Sequence, residues 1–386
     1  MPGRGRARSS RQPRPSSPSF RPPHIPGSCP LAGSVRRRGP AVYPPADVTD
    51  AERPQPAPGP ARAQLEPGRG AKSFAVSRLA PSPTGALHLG NARTFLVNWA
   101  LARQRGWRVV LRVEDLDTPR VKPGVVDQTV RTLAWLGLDW DEGPHLQAAD
   151  LGPYRAAMRE LASRGLAYPC ELTRGEIQAA ASAPQEGDDG EIRFPPELRP
   201  HPITPAPFTD EQTNWRFVTP PGAVAFRDRF AGEVAIDPSE TVGDFVLWTK
   251  RGCPSYQLAV VIDDHRQGVT EVVRGNDLLD SAARQICLSR ALGLAAEPTY
   301  THLPLVRGAD GKRLAKRHGD TRLTSYEGAG IGAERVIGLV ASWCGLEGPR
   351  EAMSARVFLE RFEFSRMPRQ DVVFTAEDAR WIAEDS

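Results

Sequence analysis

The sequence predicts an α/β fold in which helices cover a mostly parallel, doubly wound sheet. A short apolar strand at 74–77 precedes a helical pattern at 92–105, a β-branched strand follows at 107–113, and the alternation of strand and helix resumes beyond residue 256. A strand, a crossover helix and a parallel strand form a βαβ unit, which is almost always right-handed. In such sheets, ligands bind at the carboxyl ends of the strands.

The other elements are predicted from the same patterns. Helices are expected at 127–136 and 149–164. The stretch 168–249 is turn-rich, and its segments NWRFVT and AVAFRDRF are typical of short antiparallel strands. The last seventy residues are expected to be helical, from the segments AERVIGLVASWCGL and SARVFLERF.

Residues 1–72 have a different composition from the rest of the chain. They hold 16 of the 38 prolines, and residues 1–70 hold twelve Arg, no Lys and four acidic residues. Such a segment cannot bury enough apolar surface to offset chain entropy, so we expect it to be disordered and nonessential. An RNA-attracting arm and a transit peptide remain alternatives, although the prolines oppose the amphipathic helix of the latter.

Composition limits the class of protein. The net charge of +4 comes from the first seventy residues, since residues 71–386 hold 38 basic and 42 acidic side chains. Bulk charge therefore does not predict nucleic-acid binding by the folded part. No apolar run approaches the length of a membrane span, and the five scattered cysteines form no paired framework, so we expect a soluble protein of the reducing cytoplasm.

Two distant segments carry the chemistry. RLAPSPTGALHLGN at 78–91 follows a strand and begins a helix, where backbone N–H groups and the helix dipole favour a phosphate. GKRLAKRHGD at 311–320 is a glycine-containing turn with four cationic side chains. A His–x–Gly turn and a Lys-rich loop are suited to hold one triphosphate from two sides.

These segments resemble the HIGH and KMSKS signatures of class I aminoacyl-tRNA synthetases. RVEDLDTPR at 112–120, the segment 256–279 and THLPLV at 301–306 resemble the glutamyl branch of that class. The resemblance implies a Rossmann-like, HUP-type catalytic domain in two halves, 73–167 and 250–303. It further implies an insertion at 168–249 that receives the tRNA acceptor end, and a KMSKS-type loop with a short helical domain at 304–386.

The resemblance also implies the ATP site. His88, Gly90 and Lys316 would be catalytic, with the imidazole donating to a phosphate, Gly90 allowing close approach of ATP, and Lys316 neutralising the leaving pyrophosphate. Asn91 and Arg313 would complete the site, and Mg²⁺ would accompany ATP. Asn91 replaces the second histidine of the signature, and Ala315 replaces the usual serine of the loop.

A glutamate site is implied in the same way, because arginine forks suit a substrate carboxylate. The matching positions are Arg78, Ala80, Ser82, Glu114, Tyr256 and Arg274. Glu114 would bind the α-ammonium group, and Arg78 and Arg274 the carboxylates. Arg274 as a surface ion-pair residue is the alternative. Asp263 and Asp264 are expected to be structural.

Within the glutamyl branch, the segment YQLAVVIDDHRQGVTEVVRG is similar to the glutamyl-Q tRNA(Asp) synthetases. The chain ends about seventy residues after the loop, so we expect no anticodon-binding region of the glutamyl-tRNA synthetase kind. The implied activity is tRNA-independent activation of glutamate with ATP, then transfer to the queuosine base of aspartate tRNA, by a monomer.

This activity has three alternatives. They are a truncated glutamyl-tRNA synthetase, a catalytically silent RNA-binding protein and a dinucleotide-binding oxidoreductase. The first two stay open. The third lacks the GxGxxG motif that it would need after the first strand.

The insertion departs from the family pattern. Related insertions often carry a zinc site patterned C-x-C, then Y-x₃-C. Here Cys170 is followed by Leu172, and Phe194 and Leu198 stand at the other two positions. We therefore expect no zinc.

Overall fold

The computed structural model describes residues 75–180, 192–294, 297–312, 314 and 320–383. The strands are β1 (Val76–Leu79), β2 (Arg108–Val113), β3 (Glu142–Leu146), β4 (Ala167–Cys170), β5 (Asn214–Phe217), β6 (Val224–Asp228), β7 (Gly232–Ile236), β8 (Val246–Thr249), β9 (Cys253–Pro254), β10 (Glu271–Gly275), β11 (Thr299–Leu303), β12 (Val306–Arg307) and β13 (Val372–Val373). The helices are α1 (Leu89–Arg105), α2 (Val125–Trp135), α3 (Gly152–Ser163), α4 (Arg174–Ala180), α5 (Pro238–Thr241), α6 (Tyr256–Arg266), α7 (Leu279–Ala291), α8 (Leu323–Gly328), α9 (Ala333–Trp343), α10 (Ala355–Arg361) and α11 (Ala376–Ala383).

The main sheet has the strand order β3-β2-β1-β10-β11-β6-β7, and all its pairs except β6–β7 are parallel. The fold class predicted from the sequence is confirmed. The chain leaves β1 towards β2 on one side and returns as β10 on the other. This makes the β1–β10 boundary a switch point, where a crevice opens at the carboxyl ends of the strands.

Helices cover both faces of this sheet. Side chains of β2 alternate between the two faces: Val109 and Leu111 pack with α1, α9 and α10, and Val110 packs with α3, α6 and α7. Every residue of β1 is buried, as is typical of a central parallel strand. The first strand and helix match their predicted positions to within a few residues.

The insertion divides its strands between two sheets. Strands β4, β5, β8 and β9 form an antiparallel sheet of their own, whereas the β6–β7 hairpin joins the main sheet beside β11, with Asp228 opposite Tyr300. The antiparallel pairing expected for AVAFRDRF exists, but within the main sheet. A strand pattern specifies which face is buried and not which sheet receives it.

The four positions of the family zinc pattern lie together in one hydrophobic cluster. Cys170 and Phe194 are almost fully buried there, and Leu172 and Leu198 pack against them. The guanidinium group of Arg216 lies 4.2 Å from the centre of the Phe194 ring. In the part of the chain that the structure describes, no three His, Cys, Asp or Glu side chains group as metal ligands.

The helices after residue 320 brace α1 from outside. Arg93 of α1 donates to the carbonyl of Trp343 at 3.5 Å, and Gln104 donates to the carbonyls of Leu359 at 2.9 Å and Phe362 at 2.7 Å. The predicted helical character of this region is observed. No helix in the described ranges has both the length and the apolarity that crossing a bilayer requires.

Candidate active site

His88 is the N-cap of α1, the residue immediately before the helix begins at Leu89. Its Nδ1 accepts a hydrogen bond from the Gly90 N–H at 3.1 Å, and its own N–H donates to Oδ1 of Asn91 at 3.0 Å. This is a capping box with His and Asn in the usual Ser and Glu roles. The side-chain oxygen of Asn91, expected at ATP, is thus engaged in shaping the helix start.

The capping contact determines the protonation of His88. Burial lowers the pKa of this imidazole, so the ring is neutral at pH 7. Since Nδ1 accepts from Gly90, the single proton must be on Nε2. His88 can therefore offer an Nε2–H donor to a ligand at the carboxyl end of β1.

The first amides of α1 are less available than the sequence suggested. The Leu89 N–H donates to the carbonyl of Thr321 at 3.1 Å, and the Gly90 N–H is taken by His88. The Leu323 N–H in turn donates to the carbonyl of Leu87 at 2.8 Å. Two of the terminal N–H groups of the helix are therefore already satisfied, and the imidazole and the helix dipole are the features left at this helix start.

Gly90 lies close to the imidazole. A Cβ at this position would lie 3.0 Å from Cε1 and 3.1 Å from Nδ1 of His88. The sequence explained this glycine by close approach of ATP. The structure adds that the glycine makes room for the ring that would donate to ATP.

Most of the predicted glutamate residues line one cavity of about 230 Å³. They are Arg78, Ala80, Glu114, Tyr256 and Arg274. The predicted Ser82 is exposed and outside this lining, with its hydroxyl 3.3 Å from that of Thr84. The structure thus brings five of the six together and leaves Ser82 apart.

Four lining residues were missed by the sequence reasoning: Thr94, Phe95, Val273 and Leu278. Phe95 follows His88 by seven residues, two turns along α1, so helical spacing could have placed it on the same face. Val273 and Leu278 flank Arg274 closely in sequence. Proximity to Arg274 in the sequence is the one signal that indicates Leu278.

Arg274 lines the cavity as a buried cation. It is 5% exposed, and its Nη1 and Nη2 donate to Oε1 of Gln285 at 2.9 Å and to the carbonyl of Leu278 at 3.2 Å. Its Nε donates to Nε2 of His302 at 3.0 Å. All these acceptors are neutral, and among the described residues no carboxylate pairs with Arg274. The surface ion-pair alternative is therefore wrong.

A second group of charges lies beside it. Arg112 is fully buried and bonds Asp264 at 2.7 Å and Glu114 at 3.3 Å. Arg78 lies 3.5 Å from Asp264, and its Nε has no hydrogen-bond partner. Burial lowers the pKa of Arg78, opposed by Asp264 and reinforced by Arg112 and Arg274.

Glu114 stands at the end of β2, where its N–H donates to the carbonyl of Pro81 at 2.9 Å. Burial raises the pKa of its carboxyl, although Arg112 and Arg78 act in the opposite direction. A carboxylate in such a site gains from an added cation. The two aspartates expected to be structural both make buried contacts within the fold: Tyr154 donates to Asp263 at 2.7 Å, and Arg112 donates to Asp264.

The predicted loop cations lie outside the described residues. This applies to Arg313 and Lys316, and their roles stay predictions. The described flanks are held in place, because Leu314 is buried in the core that contains α1, and Thr321 accepts from Leu89.

Comparison with known proteins adds to this geometry. The family model described as tRNA synthetases class I (E and Q), catalytic domain, matches residues 75–381. The chain belongs to this family. Class I synthetases are ligases that use ATP with Mg²⁺, so the predicted enzyme class is confirmed.

Several relatives of this class I synthetase are similar over nearly their whole length. The chain is 42% identical to the glutamyl-Q tRNA(Asp) synthetase of Rhodopirellula baltica, and the similarity covers 78% of this chain and 97% of the relative. Identity to the enzyme of the same name from Symbiobacterium thermophilum is 43%, over 78% and 96%. The predicted resemblance to these enzymes is confirmed.

Other relatives carry a different name. The glutamate–tRNA ligase of Azoarcus sp. is 37% identical, over 79% of this chain and 66% of its own. The crystal structure of glutamate-tRNA synthetase from Elizabethkingia anophelis superposes with a TM-score of 0.66 at 27% identity, over 80% of this chain and 70% of that one.

Proposed function

We propose that the cavity binds glutamate and that this synthetase activates it with ATP without needing tRNA. The observation that carries the proposal is Arg274, a buried guanidinium that lines the cavity and has only neutral partners among the described residues. A buried charge of this kind is costly unless an opposite charge joins it. A bound carboxylate supplies that charge.

The charge balance of the site suits glutamate. Among the ionised side chains that line the cavity, Arg78 and Arg274 stand against Glu114, which leaves one net positive charge. Glutamate carries one net negative charge at neutral pH. We assign its α-ammonium group to Glu114 and its two carboxylates to Arg78 and Arg274.

Activation joins this glutamate to ATP. An oxygen of the α-carboxylate attacks the α-phosphorus, the bond to the β-phosphate oxygen breaks, and glutamyl-adenylate and pyrophosphate result. The protein contributes positioning and neutralisation of charge. We assign the Nε2–H of His88 to a phosphate oxygen and Lys316 to the pyrophosphate. Mg²⁺ enters with ATP, because this ion is commonly held by substrate phosphates.

For the second step we propose transfer to queuosine in aspartate tRNA. A hydroxyl of the cyclopentenediol ring attacks the acyl carbon, an ester forms, AMP leaves, and the hydroxyl proton is released. Support comes from relatives named glutamyl-Q tRNA(Asp) synthetase, which are 42–43% identical. We assign the insertion, 168–249, to reception of the RNA.

A second candidate is charging of a tRNA 3′ end. Relatives named glutamate–tRNA ligase, at 36–37% identity, favour it. Both candidates share the activation step and differ only in the acceptor.

Two assays test these proposals in sequence. ATP–pyrophosphate exchange with glutamate, with and without tRNA, tests activation, and we expect exchange in both cases. Labelled glutamate is then offered to tRNA from queuosine-producing and queuosine-deficient cells. Label confined to the first pool supports queuosine. Equal labelling of both pools, or periodate-sensitive labelling at the 3′ end of glutamate tRNA, would overturn the queuosine assignment.

A further inference from the structure

A line of three buried side chains connects the edge hairpin of the main sheet to the cavity. The carboxylate of Asp228, at the end of β6, lies 2.7 Å from Nδ1 of His302 on β11. Nε2 of the same imidazole accepts from Nε of Arg274 at 3.0 Å. Arg274 and His302 are directly paired in neighbouring strands, so sheet register holds the last contact in place.

Asp228 is built to stay ionised. Its side chain has no exposed surface, and it accepts from the N–H groups of Phe230 at 2.8 Å, Ala231 at 2.7 Å and His302 at 3.1 Å. Burial alone would raise the pKa of this carboxyl, but His302 and the backbone donors hold it below its usual value. The β6–β7 hairpin thus places an ionised carboxylate in the buried interior beside β11.

The protonation of His302 follows from its neighbours. Arginine carries only donors, so Nε2 of the imidazole accepts from Arg274 and we assign the single ring proton to Nδ1, directed at Asp228; the carbonyl of Leu278, which also accepts from Arg274, is the other acceptor near the ring. Burial keeps the pKa of His302 below its ordinary value, which favours this neutral form. The ring also stacks on Tyr300, with centroids 5.8 Å apart. Rotation of the imidazole is therefore opposed from several sides.

The contact fixes the orientation of the guanidinium fork. Nε is used by His302, one N–H of Nη1 by Gln285 and one N–H of Nη2 by Leu278. Arg274 has five N–H groups, and these three contacts leave one N–H on Nη1 and one on Nη2. The only further contact of these two groups among the described residues is a long one, 3.5 Å from Nη1 to the Tyr256 hydroxyl. Two such groups on one fork suit a carboxylate.

We propose that Asp228 and His302 are positioning residues that orient Arg274 towards the substrate carboxylate and thereby set the affinity for glutamate. This inference rests on the proposed function. Neither residue touches the cavity, so both act through Arg274.

Two substitutions at one position separate the two contacts of the imidazole. His302→Asn places an amide near the position of Nδ1, which retains the contact to Asp228 and loses the one to Arg274. His302→Gln reaches the position of Nε2 and offers an oxygen to Arg274. We expect KM for glutamate in pyrophosphate exchange to rise about 10- to 100-fold in the Asn variant and to recover to within about fivefold in the Gln variant.

The effect should be confined to glutamate. Because Arg274 would hold the substrate before and during reaction, its misorientation raises KM and leaves kcat and the KM for ATP within about twofold. Tyr168→Phe is the matched control, since it removes a 2.8 Å buried bond to Asp244 in the insertion. We expect it to leave all three constants unchanged.

Asp228→Asn and a spectroscopic measurement guard against variants that fold poorly. The Asn amide can donate as well as accept, which disturbs the proton placement on His302, so KM for glutamate should rise and the Asp228→Asn and His302→Asn effects should not add. In the wild-type protein, ¹⁵N NMR of labelled histidine should show His302 protonated on Nδ1 alone at pH 7. The His302→Gln variant identifies its signals.

The outcomes separate this inference from the proposed function. Wild-type protein without glutamate-dependent exchange would refute the function, while the NMR measurement would still test the proton placement. Exchange by the wild type with an unchanged glutamate KM in His302→Asn would refute the positioning role alone. An Nε2–H or doubly protonated His302 at pH 7 would also overturn it.

Discussion

Two buried arginines of the same sheet should respond in opposite ways to the same substitution. Arg274 has only neutral acceptors, whereas Arg112 neutralises two carboxylates, Asp264 at 2.7 Å and Glu114 at 3.3 Å. We expect Arg274→Met to abolish most glutamate activation with little effect on folding. We expect Arg112→Met to destabilise the whole protein.

The magnitudes follow from the partners left behind. Removing Arg274 ends the cost of burying an unpaired cation, which is several kcal/mol, but it leaves acceptors of His302 and Gln285 unsatisfied at about 1–3 kcal/mol each. These terms offset each other, so the free energy of unfolding should change by less than about 2 kcal/mol. The lost contact to a substrate carboxylate costs about 2–5 kcal/mol, or about 30- to 5,000-fold in kcat/KM for glutamate.

Arg112 gives the contrasting result. Its removal leaves the carboxylates of Asp264 and Glu114 buried without their main cation, at about 3–5 kcal/mol of stability. Urea unfolding measures the stability of both variants, and pyrophosphate exchange measures activation. A large loss of stability in Arg274→Met, or near-normal glutamate kinetics in that variant, would refute the proposal that Arg274 is a buried cation whose opposite charge is the substrate carboxylate.

Further predictions address other parts of the site. Gly90→Ala should lower kcat about 10- to 100-fold by displacing the His88 ring, while the melting temperature holds or rises because Ala favours the helix; a normal kcat would contradict the packing argument. Lys316→Ala should slow adenylate formation and spare glutamate affinity, and an unchanged single-turnover rate would remove Lys316 from the mechanism. The free energy of unfolding should fall as pH drops below about 6.5, because burial lowers the pKa of His88 and His302, so the unfolded chain binds protons that the folded chain does not. Urea unfolding between pH 7.5 and 5.5 should show a weaker dependence of this free energy on pH for His302→Gln. Chelation should leave the melting temperature unchanged, since Cys170 lies in an apolar cluster; stoichiometric zinc in the purified protein would contradict this.

The sequence was informative wherever local pattern determines structure. Alternating apolar strands and helices predict the central sheet, and the turn at 78–91 places His88 at a helix start. Motif resemblance identifies the residues of the candidate glutamate site. Several of them follow the ends of neighbouring parallel strands, and such ends converge at one edge of a sheet. Five of those six side chains do converge.

The features that escaped prediction depend on long-range pairing. Strand β3 has the sequence EGPHL, without β-branched residues, and is mostly exposed at the sheet edge. The hairpin joins the main sheet through a single parallel pairing of Asp228 with Tyr300. His302 lay inside a motif, THLPLV, yet its importance depends on Asp228, 74 residues away. No periodicity encodes such a partner.

The position of β1 between β2 and β10 has a consequence for synthesis of the chain. About 160 residues separate β2 from β10, so one edge of β1 stays open while the ribosome adds them, for roughly 8–30 s. The separate sheet of β4, β5, β8 and β9 is complete by residue 254 and can form during this delay. Nascent chains are therefore most exposed to edge-to-edge association before β10 emerges, which makes that interval the one in which a chaperone would protect this protein.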